Sequence, residues 1–283
     1  MVVTVMQAVG MTDTPPFGAF APNLRQRWVM KAAASMPDNW FCRQLASACR
    51  DIGLSGLDHP LDAEVFGQRM RLSPFNNVAA KRLLFTPQYF DGAERRLLAA
   101  HATRSAGEYV FLDVGANVGG YALFVAGLLH TRARVLAFEP QPEVLANLRY
   151  NVAQNPSARI EVLPVALSDQ DGEVEFFLAA HNKGEASLLK GKGEAVKVQA
   201  RTLLSVLKER GITRVDAMKI DIEGAEDLAL GPFLENAEDA LLPSFVVMED
   251  SRATWRCDVI ALMEGRGYRI TANLRQNLVL ERQ

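Results

Sequence analysis

The distribution of apolar and polar residues changes at about residue 108. From there to the end of the chain, short apolar runs without alternation are followed by stretches with helical periodicity. An apolar run without alternation is typical of a strand that is buried on both faces of a sheet. Strands that alternate with helices predict right-handed βαβ units, with helices on both faces of the sheet. The pattern therefore predicts an α/β protein with a mostly parallel sheet.

The individual elements of this region follow from the same pattern. The predicted strands are YVFLDV, RVLAFE, RIEVLPVAL, VDAMKIDI, SFVVMED, YRITAN and NLVLERQ. The predicted helices lie in VGGYALFVAGLLH, PEVLANLRYNVAQN, TLLSVLKERG and ATWRCDVIALMEGRG. Pro142 in a first turn and Thr202 as an N-cap support two of the helix starts. Residues 171–200 break the alternation, because two β-like pieces flank a loop rich in glycine and lysine, and they predict an inserted hairpin.

The residues before this region predict an extension with its own local signals. Residues 1–22, rich in proline, glycine and threonine, predict a flexible N-terminal arm, and residues 23–107 predict helices and one hairpin. In this extension Asp38 is the predicted N-cap of a helix that ends at Gly53. The hairpin is predicted to turn at Gly67.

A last helix of the extension is predicted just before the sheet begins. Asp91 followed by Glu94 resembles a capping box at the start of GAERRLLAAHA. The remaining residues, 108–283, form the predicted ligand-binding domain. The chain is thus divided at two positions, after residue 22 and after residue 107.

Composition and charge exclude several classes of protein. Among the 283 residues, 49% are hydrophobic and 23% are charged, and the formal net charge is -2. A protein that binds nucleic acid through its phosphates needs clustered lysine and arginine, so this balance argues against that class. The apolar start of the chain has no basic residue before it, and no apolar run reaches the ~20 residues of a membrane span. With three cysteines in no close pair, a soluble cytoplasmic protein is expected.

Candidate ligand-binding residues lie where the predicted strands end. In an open parallel sheet, ligands bind beyond the carboxyl ends of the strands. The carboxylates at or beside those ends are Asp113, Glu139, Asp169, Asp221, Glu249 and Asp250. This regular placement predicts one ligand site along that edge of the sheet.

The stretch DVGANVGG after the first of these strands predicts a ligand-binding turn. Gly115 permits a tight turn, and Gly119 lets the next helix begin close to the sheet. Asn117 stands where a dinucleotide-binding fold has its second glycine, so a side chain would obstruct a pyrophosphate there. Glu139, at the end of the second strand, suits two ribose hydroxyls. A nucleoside whose arm carries an ammonium and a carboxylate in place of phosphates fits, and S-adenosylmethionine is such a molecule, with its ammonium toward Asp113.

Four segments together resemble one known family. FLDVGANVGGY, AFEPQPEVLANLRYN, VALSDQDGEV and MKIDIEGAE occur in this order, and they are similar to motifs of the FkbM-type methyltransferases. The resemblance covers about residues 62–283 and leaves the helices before residue 60 without a role. It implies a Rossmann-like class I methyltransferase fold with a seven-stranded sheet whose last strand is antiparallel. It also implies S-adenosylmethionine as cofactor and methyl transfer to a hydroxyl of a sugar, glycolipid or secondary metabolite.

The resemblance also implies roles for individual residues, which match the family's motifs position by position. The implied cofactor loop consists of Asp113, Gly115, Asn117 and Gly119. The implied ribose acid is Glu139, followed by Pro140. The segment implied to flank the adenine is Ala166, Leu167, Ser168 and Asp169. The motif implied to face the methyl group and the acceptor contains Asp221, Glu223 and Gly224.

The catalytic groups remain open between a few carboxylates. Asp221 is the favoured general base because it ends a buried strand beside Lys219 and near Glu249, and the alternative is that it only holds the amine of the cofactor. Glu223 either takes part in catalysis or caps the following helix. His181, in the inserted loop, is a less favoured base. Convergence of Asp221, Glu249 and Asp250 would suit Mg²⁺, but no local ligand motif supports it, so no metal ligand is predicted.

The acceptor and the quaternary structure stay open as well. Candidate acceptor contacts are Asn76, Asn77, Lys81, Tyr89, Asn182, Lys183 and Lys190. The residues before position 60 would build either a contact in a homodimer or a lid. Competing functions are a nicotinamide-dependent oxidoreductase, which Asn117 and the lack of a Tyr-x-x-x-Lys motif oppose, and a scaffold without turnover, which the intact Asp113, Glu139 and Asp221 oppose.

Overall fold

A computed structural model describes residues 14–75, 77–178, 188 and 194–283. The predicted contacts Asn76, His181, Asn182, Lys183 and Lys190 lie outside the described residues. The helices are α1 (Leu24–Ala34), α2 (Trp40–Leu54), α3 (Val78–Phe85), α4 (Gly92–Arg104), α5 (Gly120–Leu129), α6 (Pro142–Ala153), α7 (Leu203–Glu209), α8 (Glu226–Asn236) and α9 (Val259–Gly265). The strands are β1 (Leu61–Val65), β2 (Gln68–Leu72), β3 (Tyr109–Val114), β4 (Ala133–Phe138), β5 (Ile160–Leu163), β6 (Val165–Leu167), β7 (Gly172–Leu178), β8 (Glu194–Arg201), β9 (Ala217–Ile220), β10 (Phe245–Glu249), β11 (Tyr268–Leu274) and β12 (Asn277–Arg282). Within the described ranges, no helix is long and apolar enough to cross a membrane.

The central sheet has seven strands in the order β11-β12-β10-β9-β3-β4-β5. Pairing is parallel from β10 through β5, and β12 is antiparallel to both of its neighbours. This confirms the predicted mostly parallel sheet and its antiparallel last strand. Each residue of β3 and β9 is buried, because helices cover both faces of the sheet at its centre.

Two apolar cores lie on the two faces of this sheet. Alternate residues of β3 separate between them, with Phe111 on the side of α3 to α6 and Leu112 on the side of α7 to α9. Helices on both faces are thus confirmed. The carboxyl ends of β3, β4, β9 and β10 meet at one edge, which is where the predicted site residues lie.

The third predicted strand is wrong as a single element. The chain divides at Pro164 into β5, which pairs with β4 in the central sheet, and β6, which pairs with β8. Proline has no N–H to donate to a ladder, so the strand changes sheets there. The predicted inserted hairpin is confirmed as the antiparallel pair β7 and β8, and β6 adds to it as a third strand.

Two predicted helix caps are wrong. Asn39, not Asp38, caps α2 by accepting from the N–H of Cys42, because Asp38 is held by Arg43 at 2.6 Å. Asp91 precedes α4 as predicted, but its φ of 44° turns it away from the cap geometry and its side chain accepts no capping hydrogen bond. Glu94 accepts from Asn277 Nδ2 instead, which fixes the start of β12 to α4.

Helix boundaries differ from the sequence pattern at other places. The helix α2 continues through Gly53 to Leu54, and Gly53 is needed because a Cβ there would lie 2.4 Å from Phe85. The helix α3 was not predicted, and α8 was expected only as the helix that follows Glu223, without bounds. The helix α9 is shorter than predicted, since it begins only at Val259 with Asp258 as its N-cap.

A buried ion pair links the two strands of the hairpin, and the same two side chains hold the segment before it. Arg71 Nε lies 2.7 Å from Asp62 Oδ1, and both side chains are almost fully buried. The predicted turn of this hairpin at Gly67 is confirmed by its φ of 74° between β1 and β2. Asp62 also accepts from the N–H groups of Gly18 and Phe20. The described end of the predicted arm is therefore hydrogen-bonded to the hairpin.

Candidate active site

A cavity of about 220 Å³ opens at the carboxyl edge of β3, β4, β9 and β10. The predicted site residues that line it are Asp113, Gly115, Asn117, Glu139, Pro140, Ala166, Leu167, Asp221, Glu223 and Glu249. Three of the other predicted residues lie outside the lining. Gly119 and Ser168 are buried in packing, and Asp169 is exposed with its Oδ1 accepting from Ser168.

The turn after β3 requires glycine at one position for two reasons. Gly115 has a φ of +76°, and a Cβ there would lie 1.9 Å from the carbonyl oxygen of Asp221. The N–H groups of Gly115 and Ala116 both donate to the carbonyl of Phe138, at 3.1 and 2.9 Å. The turn is therefore fastened to the ends of two neighbouring strands, β4 and β9.

Gly119 serves the packing of a helix. A Cβ at this position would lie 2.9 Å from Leu148 Cδ1, so its absence lets α5 begin close to α6. Asn117, with a φ of 50°, occupies a left-handed conformation that asparagine tolerates. Its side-chain oxygen accepts from Asn77 Nδ2 at 2.8 Å.

Asn77, a predicted acceptor contact, does not line the cavity and instead holds the turn after β3. It caps α3 by accepting from the N–H of Ala80, and with its other end it holds the cofactor loop at Asn117. A cap signal is present in the sequence as an asparagine before VAAKRLLF. The contact with Asn117 joins residues that are distant in the chain, so no local pattern predicts it.

Asp113 lies at the bottom of the cavity with one satisfied and one unsatisfied oxygen. Oδ2 accepts from the N–H of Ala122 in the first turn of α5. Oδ1 is buried and has no hydrogen-bond partner among the described residues. Burial raises the pKa of Asp113 to about 6 against the nearby charge of Lys219. An unsatisfied carboxylate oxygen beside a cavity fits a ligand that brings a donor, such as an ammonium.

Glu139 is the carboxylate of the neighbouring strand end. Its two oxygens accept from the N–H groups of Asn117 and Gln141, each at 2.9 Å. Burial raises the pKa of Glu139 to about 7, although these hydrogen bonds favour its ionised form. Each carboxylate oxygen keeps a second lone pair, so the group is still able to accept from two ligand hydroxyls.

Lys219 places a buried positive charge between the two motifs. Its Nζ donates to the carbonyl of Gly115 at 3.0 Å, pairs with Asp221 Oδ2 at 3.2 Å, and lies 5.7 Å from the centre of the Tyr121 ring. Burial disfavours the charge, but Asp221, together with Asp113, outweighs it and raises the pKa of Lys219 above its ordinary value. In the sequence, Lys219 stood out only as the neighbour of Asp221.

Glu249, at the end of β10, is the carboxyl with the properties of a base. Burial and the charge of Asp221 raise the pKa of Glu249 to about 7. Its Oε2 is buried and has no hydrogen-bond partner within the described ranges. A base is most effective when its pKa lies near the working pH, so Glu249 is suited to take a proton at neutral pH.

The loop after β9 is held in an uncommon backbone conformation. Glu223 and Gly224 have φ values of 56° and 91°. Glu226 stabilises them, because its Oε1 accepts from the N–H groups of Ile222 and Gly224 and its Oε2 accepts from Trp255 Nε1. No local pattern predicts this role of Glu226, because one of its three donors, Trp255, lies in a distant segment.

The alternative of a metal site at Asp221, Glu249 and Asp250, which the sequence did not favour, has no support in the described part of the chain. Within those ranges, no group of three histidine, cysteine, aspartate or glutamate side chains is arranged to hold a metal ion. Asp250 is held by Arg252, whose Nε and Nη2 donate to its two oxygens at 2.7 and 2.6 Å. Asp250 thus pairs with Arg252 and not with a metal shared with Asp221 and Glu249.

A side of the cavity that the sequence did not identify is formed by α3, by Phe90 and Asp91 before α4, and by α5. Tyr121 donates to Asp91 Oδ2 at 3.3 Å, and both residues line the cavity. Burial, with the charge of Glu94, raises the pKa of Asp91 above its usual value. Arg82 and Asn277 line the cavity as well.

Comparisons with known proteins agree with this geometry. The AMB antimetabolite synthetase AmbE of Pseudomonas aeruginosa is 30% identical over 216 residues, which are 61% of this chain and 10% of that protein. The 31-O-demethyl-FK506 methyltransferase FkbM of Streptomyces tacrolimicus is 31% identical over 200 residues, 59% of this chain and 74% of that protein. The 2-O-methyltransferase NoeI of Sinorhizobium fredii is 28% identical over 135 residues, 41% of this chain and 54% of that protein. This chain thus matches about a tenth of AmbE and about half of NoeI.

A family model extends the agreement over most of the sheet. The model described as the methyltransferase FkbM domain matches residues 113–270. This range begins at the carboxylate that ends β3 and reaches into β11, so it includes the cofactor loop, Glu139, the loop after β9 and Glu249. With the fold and the cavity described above, the match shows that this chain belongs to the FkbM methyltransferase family.

Proposed function

We propose that the chain transfers a methyl group from S-adenosylmethionine to a hydroxyl of a sugar, a glycolipid or a secondary metabolite. The proposal depends above all on one observation: the buried carboxylates Asp113 and Glu139 lie at the ends of neighbouring strands and line one cavity with a turn that has no room for a side chain at Gly115. The relatives FkbM and NoeI are named as a 31-O-demethyl-FK506 methyltransferase and a 2-O-methyltransferase, and these names support transfer to oxygen.

The residues present fit S-adenosylmethionine. Asp113 Oδ1 has no donor among the residues that the structure describes, and the ammonium of the ligand would supply one. Glu139 keeps acceptor capacity for the ribose hydroxyls, and Gly115 lines the same cavity. Ala166 and Leu167 offer an apolar surface for the adenine, beside Pro140. When bound, S-adenosylmethionine supplies a methyl group on a positively charged sulfur, which is open to in-line displacement by an oxygen.

The protein's own contribution to the reaction is to orient the acceptor and remove its proton. We assign the general base to Glu249, whose Oε2 has no partner within the described ranges and takes the proton of the acceptor hydroxyl. Asp221 is held by Lys219, so it acts as a positioning group for that charge and for the amine of the cofactor. Glu223 lines the same cavity and is assigned to acceptor binding.

A nicotinamide cofactor is disfavoured by the same loop. Asn117 stands at the position where a pyrophosphate would need bare backbone, and its side chain is fixed by Asn77. Calorimetric titration with S-adenosylmethionine, S-adenosylhomocysteine and NADH distinguishes the two cofactors. We expect micromolar binding of the adenosyl ligands only, with binding strongly weakened in Asp113→Asn and Glu139→Gln. Binding of NADH alone would overturn the proposal.

A transfer assay completes the test. S-adenosylmethionine with an isotopically labelled methyl group is incubated with the protein and a panel of hydroxylated acceptors and amines. Label in the hydroxylated compounds, dependent on Glu249, supports the proposed reaction. Label in the amines alone contradicts transfer to oxygen.

A further inference from the structure

A second cleft opens directly beside the active-site cavity and shares a wall with it. Arg82, Asp91, Gln276 and Asn277 line both spaces. An acceptor whose hydroxyl reaches Glu249 is therefore able to extend into this cleft. We call the cleft the arginine groove, after the side chains that line it: Arg43, Arg50, Arg82, Arg96 and Arg275.

The groove has two walls and a floor that are fixed to one another. The helix α2 forms one wall, the segment from α3 to α4 forms the floor, and the turn between β11 and β12 forms the opposite wall. Tyr89 donates to the carbonyl of Pro37, and Gln88 donates to that of Ala33, so the turn before α2 is held on the floor. Asn277 donates to Glu94, which holds the opposite wall. Residues of the helical extension thus line the groove next to the active site.

The charges in the groove are not balanced within the protein. Arg43 is paired with Asp38, and Arg50 with Ser47 and Asp51. The guanidinium groups of the other three arginines are exposed and make no hydrogen bond or ion pair with the described residues; these are Arg82, Arg96 and Arg275. Among the described residues, the lining holds only three acids, Asp38, Asp91 and Glu94, against five arginines, and Asp38 is already paired with Arg43, so positive charge is in excess.

We propose that the arginine groove binds a phosphate or diphosphate group of the acceptor, an inference that rests on the proposed function. A guanidinium presents a planar fork of donors that matches the oxygens of a phosphate. A single carboxylate is satisfied by one such fork, whereas the unpaired arginines here come from three elements: α3, α4 and the turn between β11 and β12. The acceptor is therefore a phosphorylated hydroxyl compound, with its anion in the groove and its reacting hydroxyl in the cavity.

The test uses the full chain and inorganic pyrophosphate as probe. Calorimetry in the presence of S-adenosylhomocysteine compares the wild type with the double variant Arg96→Gln/Arg275→Gln and with Arg149→Gln, an exposed arginine of α6 outside both spaces. We expect the affinity for pyrophosphate to fall about tenfold for each groove arginine removed. Arg149→Gln should bind as the wild type does, and added salt should weaken binding in both. Equal affinity in all three proteins, or no binding to the wild type, overturns the proposal.

Separate readouts distinguish the failure of this inference from the failure of the proposed function. Titration of each variant with S-adenosylhomocysteine reports the cofactor site, which contains neither Arg96 nor Arg275. Unchanged cofactor binding with weakened pyrophosphate binding supports the groove. A loss of both in the double variant would mean that the two arginines support the fold rather than bind the anion, which overturns the assignment. If no protein binds the cofactor product, the proposed function fails, and the comparison with pyrophosphate alone still tests the groove. Competition by a nucleoside diphosphate or by a short isoprenyl diphosphate then shows whether the phosphate is carried by a nucleotide or by a lipid.

Discussion

The carbonyl oxygen of Asp221 lies so close to Gly115 that a Cβ on the glycine would be 1.9 Å from it. This approach joins the turn after β3 to the end of β9, the two segments that hold most of the buried charge of the site. Lys219 reinforces it by donating to the carbonyl of Gly115 while pairing with Asp221. The geometry of the cavity thus depends on a glycine whose replacement would separate two strand ends.

Replacement of Gly115 by alanine should therefore destabilise the protein and abolish cofactor binding. The new Cβ meets backbone, which cannot move aside cheaply, and the φ of +76° is unfavourable for alanine. We expect a loss of about 2 kcal/mol or more in the free energy of unfolding. Denaturant unfolding and titration with S-adenosylhomocysteine measure the two effects. Gly107→Ala is the matched control, because a Cβ at Gly107 meets nothing within 4 Å. Equal stability of the two variants would contradict the prediction.

Replacement of Glu249 by glutamine should remove the proton acceptor with little effect on cofactor binding. In the wild type we expect kcat/KM to rise as pH increases through about 7, the pKa of Glu249, because only its ionised form accepts a proton. The variant should lose about 10²- to 10⁴-fold in rate and show no such rise. Initial rates of methyl transfer between pH 5.5 and 9 provide the measurement, at roughly half-unit steps. Glu264→Gln, at an exposed position in α9, is the control. A wild-type rate in the Glu249 variant would return the role of base to Asp221.

The stability of the protein without ligand should fall as pH rises from about 4.5 to about 7. Burial raises the pKa of Glu139 from 4.5 to about 7, so the folded state binds this proton more tightly than the unfolded state does. The stabilisation by that proton is complete below the ordinary pKa and is lost as the folded group ionises. Carboxyls of lowered pKa, such as Asp62, act in a more acidic range.

Glu139→Gln isolates this contribution. Denaturant unfolding at several pH values should show a shallower decline between pH 4.5 and 7 than in the wild type, because glutamine does not titrate. Glu64→Gln, at an exposed position in β1, should leave the slope unchanged. A slope that is identical in all three proteins would mean that Glu139 does not titrate in this range.

Asn77 should affect the cofactor site beyond its effect on stability. Asn77→Ala removes both the cap of α3 and the hydrogen bond to Asn117. Asn39→Ala removes the cap of α2, which has no contact with the cofactor loop. Both variants should lose about 1 kcal/mol of stability. Only Asn77→Ala should also weaken the binding of S-adenosylhomocysteine, by about fivefold. Equal cofactor affinity in the two variants would show that the contact with Asn117 is not needed.

Elements whose pattern is local were predicted well. The strands β3, β4, β9 and β10 are mostly apolar because they are covered on both faces, and that requirement is visible in consecutive residues. Thr202 and Pro142 start their helices as predicted, since a cap involves only neighbours in the chain. Asp38 and Asp91 failed as caps for the opposite reason, because other groups compete for their side chains. Arg43 holds the former, and Tyr121 donates to the latter.

The candidate site shows the same division. The position of Asp113, Glu139, Asp221 and Glu249 at strand ends was visible in the sequence, because parallel strands end at one edge. Their different surroundings were not visible. Asp221 is paired with Lys219, while Glu249 has a buried oxygen without a partner in the described part of the chain, and this difference changes which of the two is assigned as base.

The sequence alone determined the α/β architecture, the family resemblance and the edge of the sheet on which the carboxylates lie. These properties follow from periodicity and from short motifs, in which each residue is constrained by its near neighbours. Only the tertiary structure decided that Asn77 holds Asn117, that Glu226 is bonded to Trp255, and that arginines of four segments line one groove. Each of these relationships joins distant segments, and its energy depends on burial and distance, which the order of residues in a chain does not contain.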